Sequence, residues 1–197
     1  MRLSDGLFEV PAGKIAAVVT SLEMLAPPLR RPDPAAAPWT LDRVEAPQPE
    51  RYRTLFRRVG AEWLWYSRLQ LTDSALQAII GDPAVEIYRL LDEGGEAGLL
   101  ELDFRDRGSC ELSFFGVVPA SIGRGAGRWL MNRALDIAWS RAIFRFWVHS
   151  CTLDHPAALG FYVRSGFRPF RRQVEIADDP RRSGLLEPGA AAQVPVL

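Results

Sequence analysis

Residues 123–128 read Gly-Arg-Gly-Ala-Gly-Arg, with three glycines at alternate positions and two arginines among them. Glycine lets the backbone take positive φ and approach a ligand closely. The run stands between two kinds of pattern. Before it, Leu112–Val118 is a short apolar run rich in aromatic and β-branched residues, which predicts a strand, and Pro119 ends it. After it, Leu130, Met131, Ala134, Ile137 and Ala138 recur at helical spacing. A helix start has four N–H groups without intrahelical partners and the positive end of the helix dipole. Strand, glycine loop and helix start together predict an anion site for a phosphate or diphosphate. Arg124 and Arg128 add positive charge. The competing reading is a structural glycine turn.

Two familiar glycine motifs fail here. The dinucleotide fingerprint would need a glycine at Arg128, and no Gly-Lys-Ser/Thr follows as a Walker-type loop requires. The run Val117-Val118-Pro119 followed by Ile122-Gly123-Arg124-Gly125-Ala126-Gly127 instead resembles the signature of the GNAT superfamily of N-acetyltransferases, Gln/Arg-x-x-Gly-x-Gly/Ala after a Val-x-Pro strand end. Ile122 stands where the family usually has Gln or Arg. A second stretch, His155 to Phe167, resembles the family's Asn-x-x-Ala-x-x-x-Tyr-x-x-x-Gly-Phe, with His155 at the asparagine position.

The resemblance implies a GNAT fold of α/β (α+β) class, a mixed and mostly antiparallel central sheet flanked by helices. It implies an acyl-CoA-dependent N-acetyltransferase using acetyl-CoA as co-substrate and no metal. Coenzyme contacts then fall on Val117, Val118, Ile122, Gly123, Arg124, Gly125, Ala126, Gly127, Arg128 and His155. A backbone N–H at Val117 or Val118 would hold the oxyanion of the attacked thioester. Direct attack needs a neutral amine. Freeing an alkyl amine of pKa near ~10.4 costs about 4 kcal/mol near neutrality, so a base is required. Glu111, at the start of the central strand, and His149, at the end of the following strand, are the candidate bases. Tyr162 matches the tyrosine that protonates the leaving thiolate in many members. The competing readings are an ion-paired Glu111, a satisfied half-buried His149 and a core Tyr162. Trp63, Trp65 and Tyr66 border the expected acceptor pocket, or else pack helices on the sheet. Two rivals remain for function: a GNAT-like domain that binds or senses coenzyme A without catalysis, and a mononucleotide-binding α/β protein.

The elements that must position these residues follow the chain. The patterns predict strand Trp39–Val44, helix Pro49–Val59 with Gly60 at its end, and a second helix capped by Thr72 and ending near Gly81. Strands Val85–Leu91, Ala97–Phe104 and Cys110–Val118 form an antiparallel meander with a hairpin turn at Asp92–Gly95. The helix after the glycine loop leads to strand Ile143–His149, parallel to its predecessor. A helix after Asp154-His155-Pro156 and a strand Phe167–Ile176 complete the set, with Ala158, Leu159, Tyr162 and Val163 on or near one face of that helix. Leu7–Val10 and Ile15–Met24 are strand candidates, the second also compatible with a buried helix. Five prolines in residues 27–38 predict a linker or an extended loop. The expected organisation is an N-terminal extension, residues 1–38, without assigned role; an acetyltransferase domain, 39–177; and a loosely held tail, 178–197. The family's usual final strand is not evident and falls to the tail or the N-terminal segment.

Bulk properties fit this reading. The 197 residues suit one domain. Lys+Arg and Asp+Glu both number 24, so no net field recruits nucleic acid or a membrane. The two cysteines, Cys110 and Cys151, with no signal peptide and no membrane-length apolar run, predict free thiols and a cytoplasmic protein. His149, Cys151 and His155 match no zinc spacing. The expected partner is a small-molecule or peptide amine acceptor, with a homodimer left open.

Overall fold

The computed structural model describes residues 4–35 and 37–197. Its elements are β1 (Lys14–Met24), β2 (Thr40–Arg43), α1 (Pro49–Gly60), α2 (Asp73–Ile80), β3 (Val85–Asp92), β4 (Gly95–Asp103), β5 (Ser109–Val117), α3 (Ala126–Trp139), β6 (Arg145–Cys151), α4 (Ala158–Arg164) and β7 (Arg168–Asp178). Short 3-10 turns occupy Ala61–Trp63 and Pro119–Ser121.

Local chemistry accounts for the element ends. Pro49 stands in the first turn of α1, where its missing N–H costs nothing, and Arg57 and Arg58 face the negative end of its dipole. Thr72 caps α2, its hydroxyl accepting from the Ala75 N–H at 3.2 Å. α3 has no side-chain cap: Gly125 at its N-cap position takes φ +92°, and Gly123 takes φ +79°. Both are conformations that side chains resist.

The seven strands form one sheet in the order β2-β3-β4-β5-β6-β1-β7. Among the described residues only the β5–β6 pair is parallel, as a helical crossover requires. α1 and α2 cover one face around Phe56, Leu76, Ile80 and Leu99. α3 and α4 cover the other around Leu22, Leu100, Leu112, Leu130 and Phe146. The sheet class, the meander and the parallel β5–β6 pair agree with the sequence.

At the ends of the chain the structure decides between readings that the sequence left open. Of the two readings of Ile15–Met24 the strand holds: β1 lies between β6 and β7, antiparallel to both. It is therefore the N-terminal segment that supplies the missing strand. Leu22 and Met24 enter the core with α3, and Ile15 enters the opposite core. Leu7–Val10 forms no strand, and Leu7 is fully exposed. The tail is also anchored. Asp179 and Arg181, both buried, pair at 2.7 Å, and Arg181 donates to the Val194 carbonyl at 2.7 Å. Leu186 and Ala191 join the α1–α2 core. In α4, Leu159 and Val163 face solvent, and Tyr162 is the buried residue. Seven residues make only two turns, too short for a periodicity to fix the face.

Candidate active site

The parallel pairing of β5 and β6 is brief. It joins Ser109 to Arg145, Cys110 to Phe146 and Glu111 to Trp147, and stops there. β5 runs on to Val117 and β6 to Cys151 without touching each other. A bulge assists the divergence: Leu102 opposes Leu112 while Glu101 opposes Phe114, leaving Ser113 unpaired. A cleft of about 550 Å³ opens between the separated strands and passes from one face of the sheet to the other. Its size is that of a small-molecule site.

One end of the cleft is the glycine loop. Gly123, Gly125, Gly127, Ile122 and Arg128 line it. The first-turn N–H groups of α3 lack a capping side chain, which suits an anion. Arg128 makes no ion pair among the described residues, and its Nε is buried without a hydrogen-bond partner. Arg124, by contrast, is exposed and outside the cleft wall, and the Ala126 side chain is fully buried. Along β5 the two candidate donors separate. The Val118 N–H is spent on the Ala97 carbonyl at 2.9 Å. Strand alternation turns the Val117 N–H to the opposite edge, toward β6, where no strand is paired. His155 lines the cleft just before α4 and stacks edge-on with Trp63, ring centroids 5.0 Å apart. Its Nδ1 accepts the Ala157 N–H at 3.0 Å, which leaves the proton of the neutral ring on Nε2.

Tyr162 lines the middle of the cleft among Phe115, Phe161 and Phe167. Its hydroxyl makes no hydrogen bond among the described residues. Burial, helped by the nearby Asp154 charge, pushes its pKa well up, so the phenol holds its proton. Glu111 and His149 come together. They stand on adjacent parallel strands with His149 Nδ1 3.3 Å from Glu111 Oε1. His149 is half-exposed in the cleft wall; Glu111 is not part of that wall. The hydrogen bond that Glu111 accepts from it holds the imidazole above its usual pKa, against the opposing effect of desolvation.

The other face of the cleft carries groups that the motifs did not reveal. Asp154 accepts from Ser150 Oγ at 2.8 Å, the Cys151 N–H at 2.9 Å and Trp65 Nε1 at 3.3 Å. Glu175 on β7 accepts from the Tyr66 hydroxyl at 2.8 Å. Trp63, Trp65 and Tyr66 do line the cleft, and Trp65 also packs on Phe56 and Phe114 with centroids 5.4 and 5.3 Å away. Two glycines make its seat: a Cβ on Gly60 would lie 2.3 Å from the Trp65 ring, and one on Gly116 would lie 2.5 Å from Val59 and 3.1 Å from Trp65. Behind this wall, fully buried Glu101 bonds Tyr52 and pairs with Arg68 at 2.6 Å, tying the α1–α2 loop to β4. Ile15 and Ala17 of β1 complete this side. Periodicity on β7 and β1 carries no hint of these contacts, because they arise only when distant strands pair.

Cys110 is buried and free, and Cys151 is free and partly buried in the cleft wall. Burial and Asp154 push the Cys151 thiol up to about 11, which leaves it protonated and inert near neutrality. Among the described residues, no cluster of three or more His, Cys, Asp or Glu side chains is arranged to hold a metal. No helix among them is long and apolar enough to cross a membrane.

Comparison with known proteins gives the geometry a context. No curated protein sequence matches the chain. Similar solved structures include a functionally unknown conserved protein from Staphylococcus epidermidis ATCC 12228, with TM-score 0.54 and 13% identity over 85% of this chain and 63% of that one. Another is a GCN5-related N-acetyltransferase from Sphaerobacter thermophilus, with TM-score 0.60 and 14% identity over 86% of this chain and 53% of that one. A third is the aminoglycoside acetyltransferase meta-AAC0020 from an uncultured soil metagenomic sample, with TM-score 0.54 and 15% identity over 66% of this chain and 88% of that one. The chain thus spans less than two thirds of the first two. At such identities these likenesses speak for the fold. The model of the acetyltransferase (GNAT) family matches residues 47–167, more than half of the sequence and the whole stretch from α1 to the end of α4, and the chain belongs to that family.

Proposed function

We propose that the protein transfers an acetyl group from acetyl-CoA to a primary amine by direct attack. One observation carries this reading: a single cleft joins the glycine loop, with its uncapped helix start, to Tyr162, His149 and the carboxylate-flanked aromatic wall. The α3 N-terminus and Arg128 hold the coenzyme's phosphates. The Val117 N–H, turned to the open edge of β5, stabilises the oxyanion that forms when the amine nitrogen attacks the thioester carbon. His149, kept basic and oriented by Glu111, takes the proton that the amine must lose. As the carbon–sulfur bond breaks, Tyr162 gives its proton to the thiolate and recovers one from solvent. His155 Nε2 offers a donor to the pantetheine arm.

The acceptor enters from the side of Trp63, Trp65 and Tyr66. Glu175 and Asp154 lie among these rings, an environment that favours a cationic amine on an apolar body. The test is calorimetry with coenzyme A, followed by release of free thiol from acetyl-CoA in the presence of an amine panel. Coenzyme binding with amine-dependent thiol release is expected. Absence of coenzyme binding would overturn the reading. Binding without release on any amine would replace it with the non-catalytic, coenzyme-sensing alternative.

A further inference from the structure

In the proline-rich stretch between β1 and β2, residues 28–34 form an extended loop held against the fold. It crosses the outer side of α3, and named contacts fix its course. Pro28 covers Gly166, where an added Cβ would stand 2.7 Å from Pro28 Cβ. The amide of Asn132, only 2% exposed, donates to the Arg31 carbonyl at 2.9 Å and to Asp33 Oδ1 at 2.6 Å. Arg133 holds the other Asp33 oxygen at 2.9 Å, and Arg30 reaches Asp136 at 3.2 Å. Pro34 lies over Gly125, where a Cβ would meet its Cγ at 2.9 Å. The crossing segment therefore rests on the glycine that starts α3.

Its charges divide unequally. Arg30 and Asp33 are both paired. Arg31 is half-buried, its carbonyl is pinned by Asn132, yet its guanidinium makes no ion pair or hydrogen bond among the described residues. It lines the cleft beside Gly123, Gly125 and Arg128, and shares a second small crevice with Arg128 and Asn132. Arg128 is equally without a paired carboxylate among the described residues, and its Nε is buried without a partner there. The carboxylates of this region, Asp33 and Asp136, are taken by Arg30 and Arg133. The fold thus places two arginines along one cleft and one crevice at an uncapped helix start, with no carboxylate paired to either among the described residues. Such an arrangement repels itself until an anion enters.

We infer that Arg31 is a phosphate-binding residue for the coenzyme, supplied by the N-terminal segment, and that it grips a phosphoryl group together with Arg128 and the first turn of α3. This rests on the coenzyme reading of the glycine loop given above. It adds that the segment preceding the family-matched region completes the anion subsite, and that the Asn132–Asp33 contacts position it.

The test is titration of coenzyme A by calorimetry at low and high salt into the full chain and into Arg31→Ala, Arg31→Lys and Arg57→Ala. Arg57 is exposed on α1 and outside the cleft wall, so its removal reports the effect of net charge alone. Arg31→Ala should bind about tenfold more weakly at low salt, with the gap narrowing at high salt. Arg31→Lys should fall between, and Arg57→Ala should match the parent. The melting temperature of Arg31→Ala should not fall, because its side chain has no ion pair or hydrogen bond to lose among the described residues and its removal relieves the repulsion from Arg128. Affinity of Arg31→Ala within twofold of the parent, or an equal loss in Arg57→Ala, would overturn the inference while leaving the coenzyme reading intact. Failure of the parent chain to bind coenzyme A would bring down the coenzyme reading itself.

Discussion

The position of β1 can be tested by truncating one side chain on it. Leu22 and Val18 lie on the same strand, four residues apart, so the strand period of two puts both on the α3–α4 face. Leu22 is 0% exposed, in the same core as Phe146, Val148 and Phe167, whereas Val18 is 38% exposed, beyond the cover of the helices. Leu22→Ala removes buried methyl groups and leaves a cavity between β6 and β7, which costs about 2–5 kcal/mol. A loss of about 3 kcal/mol lowers the melting temperature by about 6–12 °C in a chain of this size. It leaves the protein folded if its stability lies in the usual range of about 5–15 kcal/mol. Val18→Ala should cost under about 1 kcal/mol. The assay is urea unfolding followed by circular dichroism, with thermal melts alongside. If the two variants shift the midpoint alike, or if Leu22→Ala shifts it by less than about 1 kcal/mol, then β1 is not seated between β6 and β7 in this register.

Three further perturbations follow. Glu111→Gln removes the acceptor that raises the His149 pKa, so the acidic limb of the kcat/KM–pH profile should move to lower pH while the plateau rate falls. Because that pKa is raised in the folded state, the pair's stabilisation is fully present below the unfolded histidine pKa and disappears as pH rises through the folded one. The melting difference between parent and variant should therefore be larger at acid than at alkaline pH, and small throughout, since His149 is half-exposed. Tyr162→Phe should lower kcat by about a hundredfold in the thiol-release assay with little change in coenzyme affinity; equal turnover would remove the phenol from the mechanism. Gly116→Ala places a Cβ against Val59 and Trp65 and should cost about 1–3 kcal/mol. It should raise the acceptor KM more than it weakens coenzyme binding, with a tryptophan emission shift as the direct readout.

The sequence by itself determined what depends on near neighbours. The meander from Val85 to Val117, the crossover through α3, the parallel approach of β6 and the glycine loop are all local patterns of period, breaker and spacing, and each stands in the structure where its residues placed it. The placement of Tyr162 and His149 along the cleft, as distinct from their proposed roles, was legible in the same way, because each sits at a fixed offset from a recognisable strand or motif. What tertiary structure alone decided is the pairing of segments far apart in the chain. An apolar run such as IAAVVTSLEM announces burial but not its neighbours, so its insertion between β6 and β7 depended on which sheet edges were vacant. The same holds for Glu175 against Tyr66, Asp154 against Trp65 and Arg31 against the start of α3. Proline content marked residues 27–38 as a linker or an extended loop, but nothing there announced that Asn132, a hundred residues later, pins Arg31 and Asp33 to a helix. Hydrogen bonds and ion pairs between distant segments have no period and leave no mark on either segment taken alone.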